Sequence, residues 1–352
     1  MTVAQGNRDN QGAWSRRLLR EFQRARRESG GGDLTIELAG LEVRLAFAQP
    51  ALEALAQRLM GHLELAPGRF PDLQVYCWQG ENTAERILTG SKSQSTQKLH
   101  PQTRLRCNRN GRIWERQLAR GTEMLLDPAQ QWGLYRMSPG PGIAFPEQAS
   151  LLHPLLVSWA AQRGLIPAHA AAVGSVGKGV LLAGAGGSGK TTTALQCLLH
   201  GMDFAGDDRV VIQVDPPRVW SIYGSAKIDG ETLDLLPELA AHVRFEASAP
   251  REKGLFYLNP LWRERITRDF SLHAIILPQV REPWSGRLVR VEAAEALRTL
   301  APSTLLAYSR DEAAMFGKMA QLVRRIPAYR LGLGGAKAAD GAAIQRMLQE
   351  VL

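Results

Sequence analysis

The chain has 352 residues, of which 45% are hydrophobic and 22% are charged, and its formal net charge is +9. This length allows two domains with a large core, and the composition is that of a globular protein. No apolar stretch is long enough to cross a bilayer, the arginine-rich start is unlike a secretory signal, and the three cysteines lie far apart without metal-ligand spacing. These features argue against a disulfide framework and against a membrane partner, and they favour a cytoplasmic protein.

The N-terminal segment carries the densest positive charge and ends in three consecutive glycines. Its arginines alternate with apolar side chains and are Arg16, Arg17, Arg20, Arg24, Arg26 and Arg27. A basic helix of this kind could dock on an acidic partner, and a solvated, frayed helix is the other interpretation. We predict a basic, weakly ordered arm over residues 1–32. Because no nucleic-acid-binding module is recognisable, the charge does not predict a nucleic-acid partner.

Residues 33–145 are predicted to form a smaller α+β domain. Alternating patterns at 34–38 and 41–45 predict a hairpin, and the run 73–78 predicts a further strand. Leucines at helical spacing between these patterns predict a helix, and the polar stretch 80–102 predicts a loop. No catalytic motif occurs here. The domain is therefore expected to recognise an acceptor or leader segment, or to serve a structural or dimerising role, which leaves a homo-oligomer open.

Residues 146–352 show strands alternating with helices, which predicts an α/β domain. A buried strand is predicted at 179–183 and a helix at 192–199, ending near Gly201. Later strands are predicted at 210–214, 273–277 and 329–333, and later helices at 293–300, at 311–324 and from residue 342.

Between the strand at 179–183 and the helix at 192–199 lies a phosphate-binding loop with the spacing Gly-x-x-x-x-Gly-Lys-[Ser/Thr]. It reads Gly184, Ala185, Gly186, Gly187, Ser188, Gly189, Lys190 and Thr191, and Thr192 follows in the predicted nucleotide-binding set. Glycines let backbone N–H groups turn towards a polyphosphate at a helix N-terminus. Lys190 is expected to reach the β- and γ-phosphates, and the Thr191 hydroxyl to bind Mg²⁺. The loop predicts ATP and Mg²⁺ as cofactors; the alternative is an ordinary glycine-rich turn.

Such loops usually work with an aspartate at the end of a later apolar strand. The obvious later strand, 273–277, ends in Pro278-Gln279 and offers no carboxylate. Two adjacent acids, Asp207 and Asp208, instead follow the loop closely and precede the strand at 210–214. Paired carboxylates beside a phosphate site suit two tasks, ordering Mg²⁺ and accepting a proton from a hydroxyl. The other interpretation is a solvated strand start.

His169 lies among alanines at a predicted strand end. It is either a core histidine bonded to the backbone or part of the phosphate pocket, where it would orient an acid or touch the transferred group. The residues alone leave both interpretations open.

His169, the loop Gly184–Thr191 and the pair Asp207-Asp208 resemble, in order and approximate spacing, the core of the bacterial HPr kinase/phosphorylase family. The resemblance covers about residues 150–260. It implies a phosphoenolpyruvate-carboxykinase-like phosphate-loop fold and ATP-dependent phosphorylation of a serine on a carrier protein. It also implies that Asp208 is the general base, that Asp207 and Thr191 serve Mg²⁺, and that His169 supports the base.

The segments 221–229 and 251–255 look like divergent HPr-kinase-like proteins of biosynthetic clusters, some of which phosphorylate a lasso-peptide precursor at its C-terminal serine. Ser225 and Lys227 follow a glycine, and they either bind phosphate or an acceptor carboxylate, or belong to a plain turn. Lys253 either neutralises charge that develops on the γ-phosphate or forms a surface ion pair with Glu252.

The sequence thus predicts an α/β phosphate-loop kinase domain preceded by a smaller α+β domain. The predicted function is ATP- and Mg²⁺-dependent phosphorylation of a serine on a peptide or protein, most simply a lasso-type precursor peptide. The alternatives are a kinase of a carrier protein or small-molecule hydroxyl, and an ATP-binding regulatory switch without catalysis. A switch has no need of a base beside the γ-phosphate, which makes the paired acids the discriminating feature.

Overall fold

The computed structural model of the chain describes residues 3–80, 97–100, 104–109, 112–117, 121–245, 253–280, 287–308, 312–334 and 341–352. The chain divides into two compact units. The N-terminal unit comprises Met1–Glu37, Leu41–Gln57 and Glu64–Trp159, and the C-terminal unit comprises Leu38–Gly40, Arg58–Leu63 and Ala160–Leu352. This division falls later in the chain than the boundary after residue 145 that the sequence indicated. In the described ranges, no helix is both long and apolar enough to cross a membrane.

The N-terminal unit is built on an eight-stranded sheet. Its helices are α1 (Val3–Ser29), α2 (Pro50–Met60), α3 (Phe145–Ala149) and α4 (His153–Gln162), and the last residues of α2 and of α4 belong to the C-terminal unit. Its strands are β1 (Asp33–Leu38), β2 (Leu41–Phe47), β3 (Leu73–Gln79), β4 (Gln97–His100), β5 (Arg104–Arg109), β6 (Arg112–Gln117), β7 (Thr122–Asp127) and β8 (Trp132–Met137). Their order is β1-β2-β3-β8-β7-β6-β5-β4, with β3 parallel to both β2 and β8.

The later part of α1, within the segment predicted as an arm, packs through an apolar face. Leu18 and Phe22 are one helical turn apart and are both buried. The ring of Phe22 meets Tyr76 and Trp78 of β3 edge-on, at centroid distances of 5.1 and 6.1 Å. The predicted polar loop at 80–102 lies mostly outside the described residues, and its last part, Gln97–His100, is strand β4.

The C-terminal unit holds a nine-stranded mixed sheet and a two-stranded sheet. Its strands are β9 (Ile166–Ala168), β10 (Ala170–Ser175), β11 (Lys178–Ala183), β12 (Asp203–Gly206), β13 (Val210–Val214), β14 (Pro217–Ser221), β15 (Ser225–Ile228), β16 (Gly254–Tyr257), β17 (Asp269–Gln279), β18 (Val289–Val291) and β19 (Ala328–Gly332). Its helices are α5 (Lys190–Leu199), α6 (Gly230–Leu235), α7 (Asn259–Trp262), α8 (Ala293–Tyr308), α9 (Glu312–Arg325) and α10 (Gly341–Gln349).

The large sheet runs β12-β10-β11-β17-β14-β13-β9, with β19 paired to β17 and β18 paired to β19. The long strand β17 is its centre, parallel to β11 and β19 and antiparallel to β14. Strand β15 pairs antiparallel with β16 in the small sheet. The mixed α/β architecture that the sequence indicated is confirmed.

Both faces of the large sheet are buried, which explains its continuous apolar strands. Along β11, Leu181 and Ala183 pack into a core with residues of α8 and α9, while Val180 and Leu182 pack into a second core with residues of α5 and α10. This packing fixes the end of β11 and the start of α5, and so the loop between them.

Candidate active site

The predicted phosphate-binding loop joins β11 to α5 and has the backbone that its glycines require. Gly187 and Gly189 have φ values of +76° and +97°, in the left-handed region that favours glycine. A Cβ atom on Gly189 would lie 2.4 Å from Leu333 Cδ1, so this side of the loop is closed. A Cβ atom on Gly186 or Gly187 would meet nothing within 4 Å among the described residues. The outer side of the loop therefore has room for a ligand to approach its backbone.

Lys190 is the first residue of α5, and its side chain turns back over the loop. The ammonium donates to the carbonyl oxygens of Gly184 at 2.9 Å and Ala185 at 3.0 Å. Burial lowers the pKa of Lys190, and the charges of Asp207 and Asp208 act in the opposite direction. A lysine held this way over the loop fits the phosphate role predicted from the sequence.

Thr191 and Asp207 form the second part of the site. Both carboxylate oxygens of Asp207 lie 3.0 Å from the Thr191 hydroxyl, which donates to this carboxylate. Burial raises the pKa of Asp207 to about 6, and the negative charge of Asp208 adds to the rise, while the hydrogen bond from Thr191 opposes it. A buried carboxylate and a hydroxyl are hard oxygen ligands of the kind that Mg²⁺ prefers.

The residues present fit a magnesium ion if a nucleotide supplies part of its ligand shell. In the part of the chain that the structure describes, no group of three or more His, Cys, Asp or Glu side chains has the arrangement of a metal site. Mg²⁺ commonly binds one or two carboxylates and completes its shell with water and substrate phosphates. Thr191 and Asp207 therefore suit an ion that arrives with a nucleotide.

Asp208 lies in a tight turn between β12 and β13. Its φ is +64°, which is uncommon for a residue with a side chain, and the Arg209 N–H donates to the carbonyl oxygen of Asp207 at 2.7 Å. Backbone in sparsely populated regions clusters at functional sites. The turn separates the surroundings of the two acids although they are neighbours in the chain.

The Asp208 carboxylate has a cationic or ionisable partner on each oxygen. His169 Nδ1 lies 2.8 Å from Oδ1, and Lys227 Nζ lies 3.4 Å from Oδ2. Burial alone would raise the pKa of Asp208, but the hydrogen bond and charge of His169, with the charges of Lys227 and Arg209, hold it well below its usual range. The carboxylate is therefore ionised at neutral pH.

Strand pairing brings His169 to Asp208. His169 follows β9, and Ala168 at the end of β9 pairs with Val210 at the start of β13. His169, one residue beyond this pair, and Asp208, two residues before Val210, meet at the same end. The sequence left a core histidine and a site histidine open; in the structure His169 contacts the Asp208 carboxylate, and its place in a phosphate pocket stays a prediction.

The small sheet contributes the lysines that the sequence singled out. Lys227 of β15 reaches Asp208, and the charge of Lys253, next to β16, acts on Lys190. Burial lowers the pKa of Lys227, and nearby Arg209 acts in the same direction. Ser225 lies two residues before Lys227 on the same strand face and is buried. Glu252, the proposed ion-pair partner of Lys253, lies outside the described residues.

Two features of the site were not anticipated. The Thr192 hydroxyl lies 3.1 Å from the Thr232 hydroxyl, and Thr232 donates to Asp229 at the start of α6. The Thr192 hydroxyl thus links α5 to α6, and the place of Thr192 in the nucleotide-binding set stays a prediction. Arg209 adds a positive charge beside Asp208, and its position next to the acidic pair was the only sequence signal for it.

Comparisons with known proteins add little to this geometry. No protein-family model matches the chain, and no curated protein matches it. Among solved structures, the chain is similar to the Hpr(Ser) kinase/phosphatase from Coxiella burnetii, with 16% identity and a TM-score of 0.22. The match covers 32% of this chain and 63% of that chain. A likeness this weak carries no argument about function.

Proposed function

We propose that the chain is an ATP- and Mg²⁺-dependent kinase that transfers the γ-phosphate to the hydroxyl of a serine in a peptide or protein. The observation that carries this proposal is the different environment of the two acids. Asp207 is buried on Thr191, and the Asp208 side chain is 26% exposed and held by His169. One acid suits a metal and the other can meet an incoming hydroxyl.

Each residue has a role in this proposal. The loop backbone and Lys190 would hold the phosphates, and Thr191 with Asp207 would hold Mg²⁺. Bound Mg·ATP would supply the phosphoryl group and neutralise part of its charge. Asp208 would accept the proton of the acceptor hydroxyl while His169 fixes the orientation of its carboxylate.

The lowered pKa of Asp208 makes it a weak base, which is compatible with this role. Catalysis of phosphoryl transfer consists mostly of positioning and charge stabilisation, so a well-placed carboxylate is more useful than a strong base. Lys253 and Lys227 would add positive charge near the transferred group. An ATP-binding switch would need none of the contacts at Asp208, and for that reason we favour the kinase.

The acceptor that we propose is a ribosomally made precursor peptide of the lasso type, which rests on the sequence resemblance of segments 221–229 and 251–255. A carrier protein or a small-molecule hydroxyl would use the same chemistry.

Mass spectrometry of candidate peptides incubated with the protein, ATP and Mg²⁺ tests this proposal. We expect one phosphoryl group on a serine, and none when that serine is replaced by alanine. The Lys190→Ala variant should give no product, because it lacks the cation over the loop. Product formation by that variant at the wild-type rate would contradict the site, and a wild-type protein that binds ATP but phosphorylates no acceptor would favour the switch.

A further inference from the structure

The two side chains that contact the Asp208 carboxylate, His169 and Lys227, differ in their distance from it. The His169 contact, at 2.8 Å, is a normal hydrogen-bond distance, and the Lys227 contact, at 3.4 Å, is at the long end. Lysine carries its ammonium on a flexible four-carbon stem, whereas the histidine ring has few rotamers. Lys227 is thus the partner that can leave Asp208 while His169 stays.

The backbone of Lys227 is held by its strand, and its side chain ends at the contact with Asp208 described above. Its strand neighbours Ala226 and Ile228 are buried in a core with residues of α5, and β15 is paired with β16 along its length. The Lys227 side chain lies on the other face of β15 and is 24% exposed. Because the strand is fixed and the side chain is flexible, the Lys227 ammonium can move only a limited distance around Asp208.

Lys227 and the phosphate-loop lysine surround the same two carboxylates. Lys190 and Lys227 both interact electrostatically with Asp207 and Asp208, and Arg209 and Lys253 add further positive charge. A triphosphate held by the loop would bring a stronger anion into this cluster than the single carboxylate that Lys227 now contacts. Such an anion would compete with Asp208 for Lys227.

We propose that Lys227 is a sensor of the γ-phosphate, paired with Asp208 when no triphosphate is bound and transferred to the γ-phosphate oxygens when ATP binds. This transfer frees Oδ2 of Asp208 to accept a hydrogen bond from the acceptor hydroxyl. The inference rests on the proposed function, since it needs ATP at the loop. It adds that the carboxylate of Asp208, the proposed base, becomes accessible to the acceptor only when a transferable phosphate is present.

The sensor role has a consequence for binding that does not depend on turnover. ADP lacks the γ-phosphate, so Lys227 should contribute to the affinity for a triphosphate and not for ADP. Hydrogen bonds to charged groups are among the stronger ones in proteins, and the loss of one should lower affinity about tenfold or more.

Isothermal titration with the Mg²⁺ complexes of ADP and of the β,γ-imido analogue of ATP tests the inference. For Lys227→Met we expect about tenfold weaker binding of the triphosphate analogue and less than twofold change for ADP. Lys227→Arg should keep most of the preference for the triphosphate. Lys178→Met, at an exposed position at the start of β11, is the matched control and should change neither affinity.

A double-mutant cycle with Asp208→Asn tests the exchange itself. Removing the charge of Asp208 should release Lys227 and tighten triphosphate binding, and this gain should vanish in the Lys227→Met background. A gain that persists there would show simple charge repulsion and would overturn the exchange. Equal losses for ADP and the triphosphate, or no loss, would overturn the sensor role. A wild-type protein that binds neither nucleotide would instead refute the proposed function, and the sensor with it.

Discussion

At the scale of single residues, two adjacent acids have different surroundings because the turn at Asp208 directs them to different partners. Asp207 contacts Thr191 in the first turn of α5, whereas Asp208 contacts His169, which follows β9, and Lys227 of β15. This difference predicts separate effects of the two amide substitutions.

Substitutions at the Thr191–Asp207 contact should act through the metal. We expect Thr191→Ala and Asp207→Asn to raise the Mg²⁺ concentration needed for half-maximal transfer, because each removes an oxygen ligand, and Asp207→Asn to have the larger effect because it also removes a charge. Thr192→Ala is the control, since that hydroxyl contacts Thr232. Magnesium titrations of initial rate measure the effect, and a curve for both metal-site variants identical to wild type would refute the ligand roles.

His62 gives the C-terminal unit a titratable contact outside the site. It lies in a short 3₁₀ helix (Gly61–Leu63), and its Nε2 is 2.7 Å from the Ser221 hydroxyl. Burial lowers the pKa of His62 from 6.5 to about 3, and the charges of Arg268 and Arg263 act in the same direction. The folded protein therefore keeps this histidine neutral where the unfolded chain would protonate it.

The sign of the resulting pH dependence follows from that difference. The stabilisation is complete above pH 6.5 and is lost as the pH falls towards 3, by up to about 1.4 kcal/mol per pH unit. His62→Gln removes the titration, so its free energy of unfolding should fall less steeply between pH 7 and pH 5 than that of the wild type. Denaturant unfolding at several pH values measures both slopes, and parallel curves would contradict the assignment.

The candidate residues that sequence reasoning could single out are those marked by a local pattern. Lys190 and Thr191 follow from the loop spacing, and the structure has Thr191 on Asp207. The partnership of Lys227 with Asp208 could not be foreseen, because it depends on how β15 lies beside the turn and not on any spacing. Lys227 was singled out for the glycine that comes shortly before it and for the resemblance of segment 221–229.

At the scale of elements, the apolar runs predicted most of the C-terminal sheet. Strand β13 has the predicted bounds, and β11, α5 and β19 differ by one or two residues. The short strands β9, β14, β15 and β16 were not predicted as such. They are stabilised by pairing with strands distant in the sequence, and three to five residues carry too little periodicity to reveal them.

Helix α1 shows how a basic composition concealed an apolar face. Phe22→Ala should lower the free energy of unfolding of the N-terminal unit by about 3 kcal/mol, because the ring is buried against Tyr76 and Trp78. Arg20→Ala, at an exposed position on the same helix, is the control and should change it by less than about 0.5 kcal/mol. Thermal or denaturant unfolding measures both.

Nucleotide binding should not depend on this helix. The loop, Lys190 and both acids belong to the C-terminal unit, so Phe22→Ala and deletion of residues 1–30 should leave the ATP affinity unchanged. A large loss of ATP binding after the deletion would show that the N-terminal segment belongs to the nucleotide site.

At the scale of the whole molecule, the order of strands was beyond prediction. The sequence indicates where strands lie along the chain but not how they pair. Strand β17 pairs with three strands from distant parts of the chain, β11, β14 and β19. The end of β17 at Pro278-Gln279 lies beside the loop, as a Cβ on Gly184 would be 3.9 Å from the carbonyl oxygen of Pro278. The acids reach the site from β12 instead, which is why their position shortly after the loop was informative.

Part of the positive charge behind the net charge of +9 lies at the candidate site. Four cationic side chains interact electrostatically with one another or with the paired acids: Lys190, Arg209, Lys227 and Lys253. Positive charge is therefore concentrated where a polyphosphate would bind. This concentration supports the interpretation that part of the basic composition serves a nucleotide.

The central claim is that Asp208 is the base of a phosphoryl transfer, and kinetics of Asp208→Asn together with ATP binding test it most directly. Asparagine keeps the size and most of the hydrogen-bonding shape but cannot take the proton. The account predicts that transfer falls by about 10²–10⁴-fold while ATP binding is kept or tightened. Transfer at the wild-type rate by Asp208→Asn would contradict it.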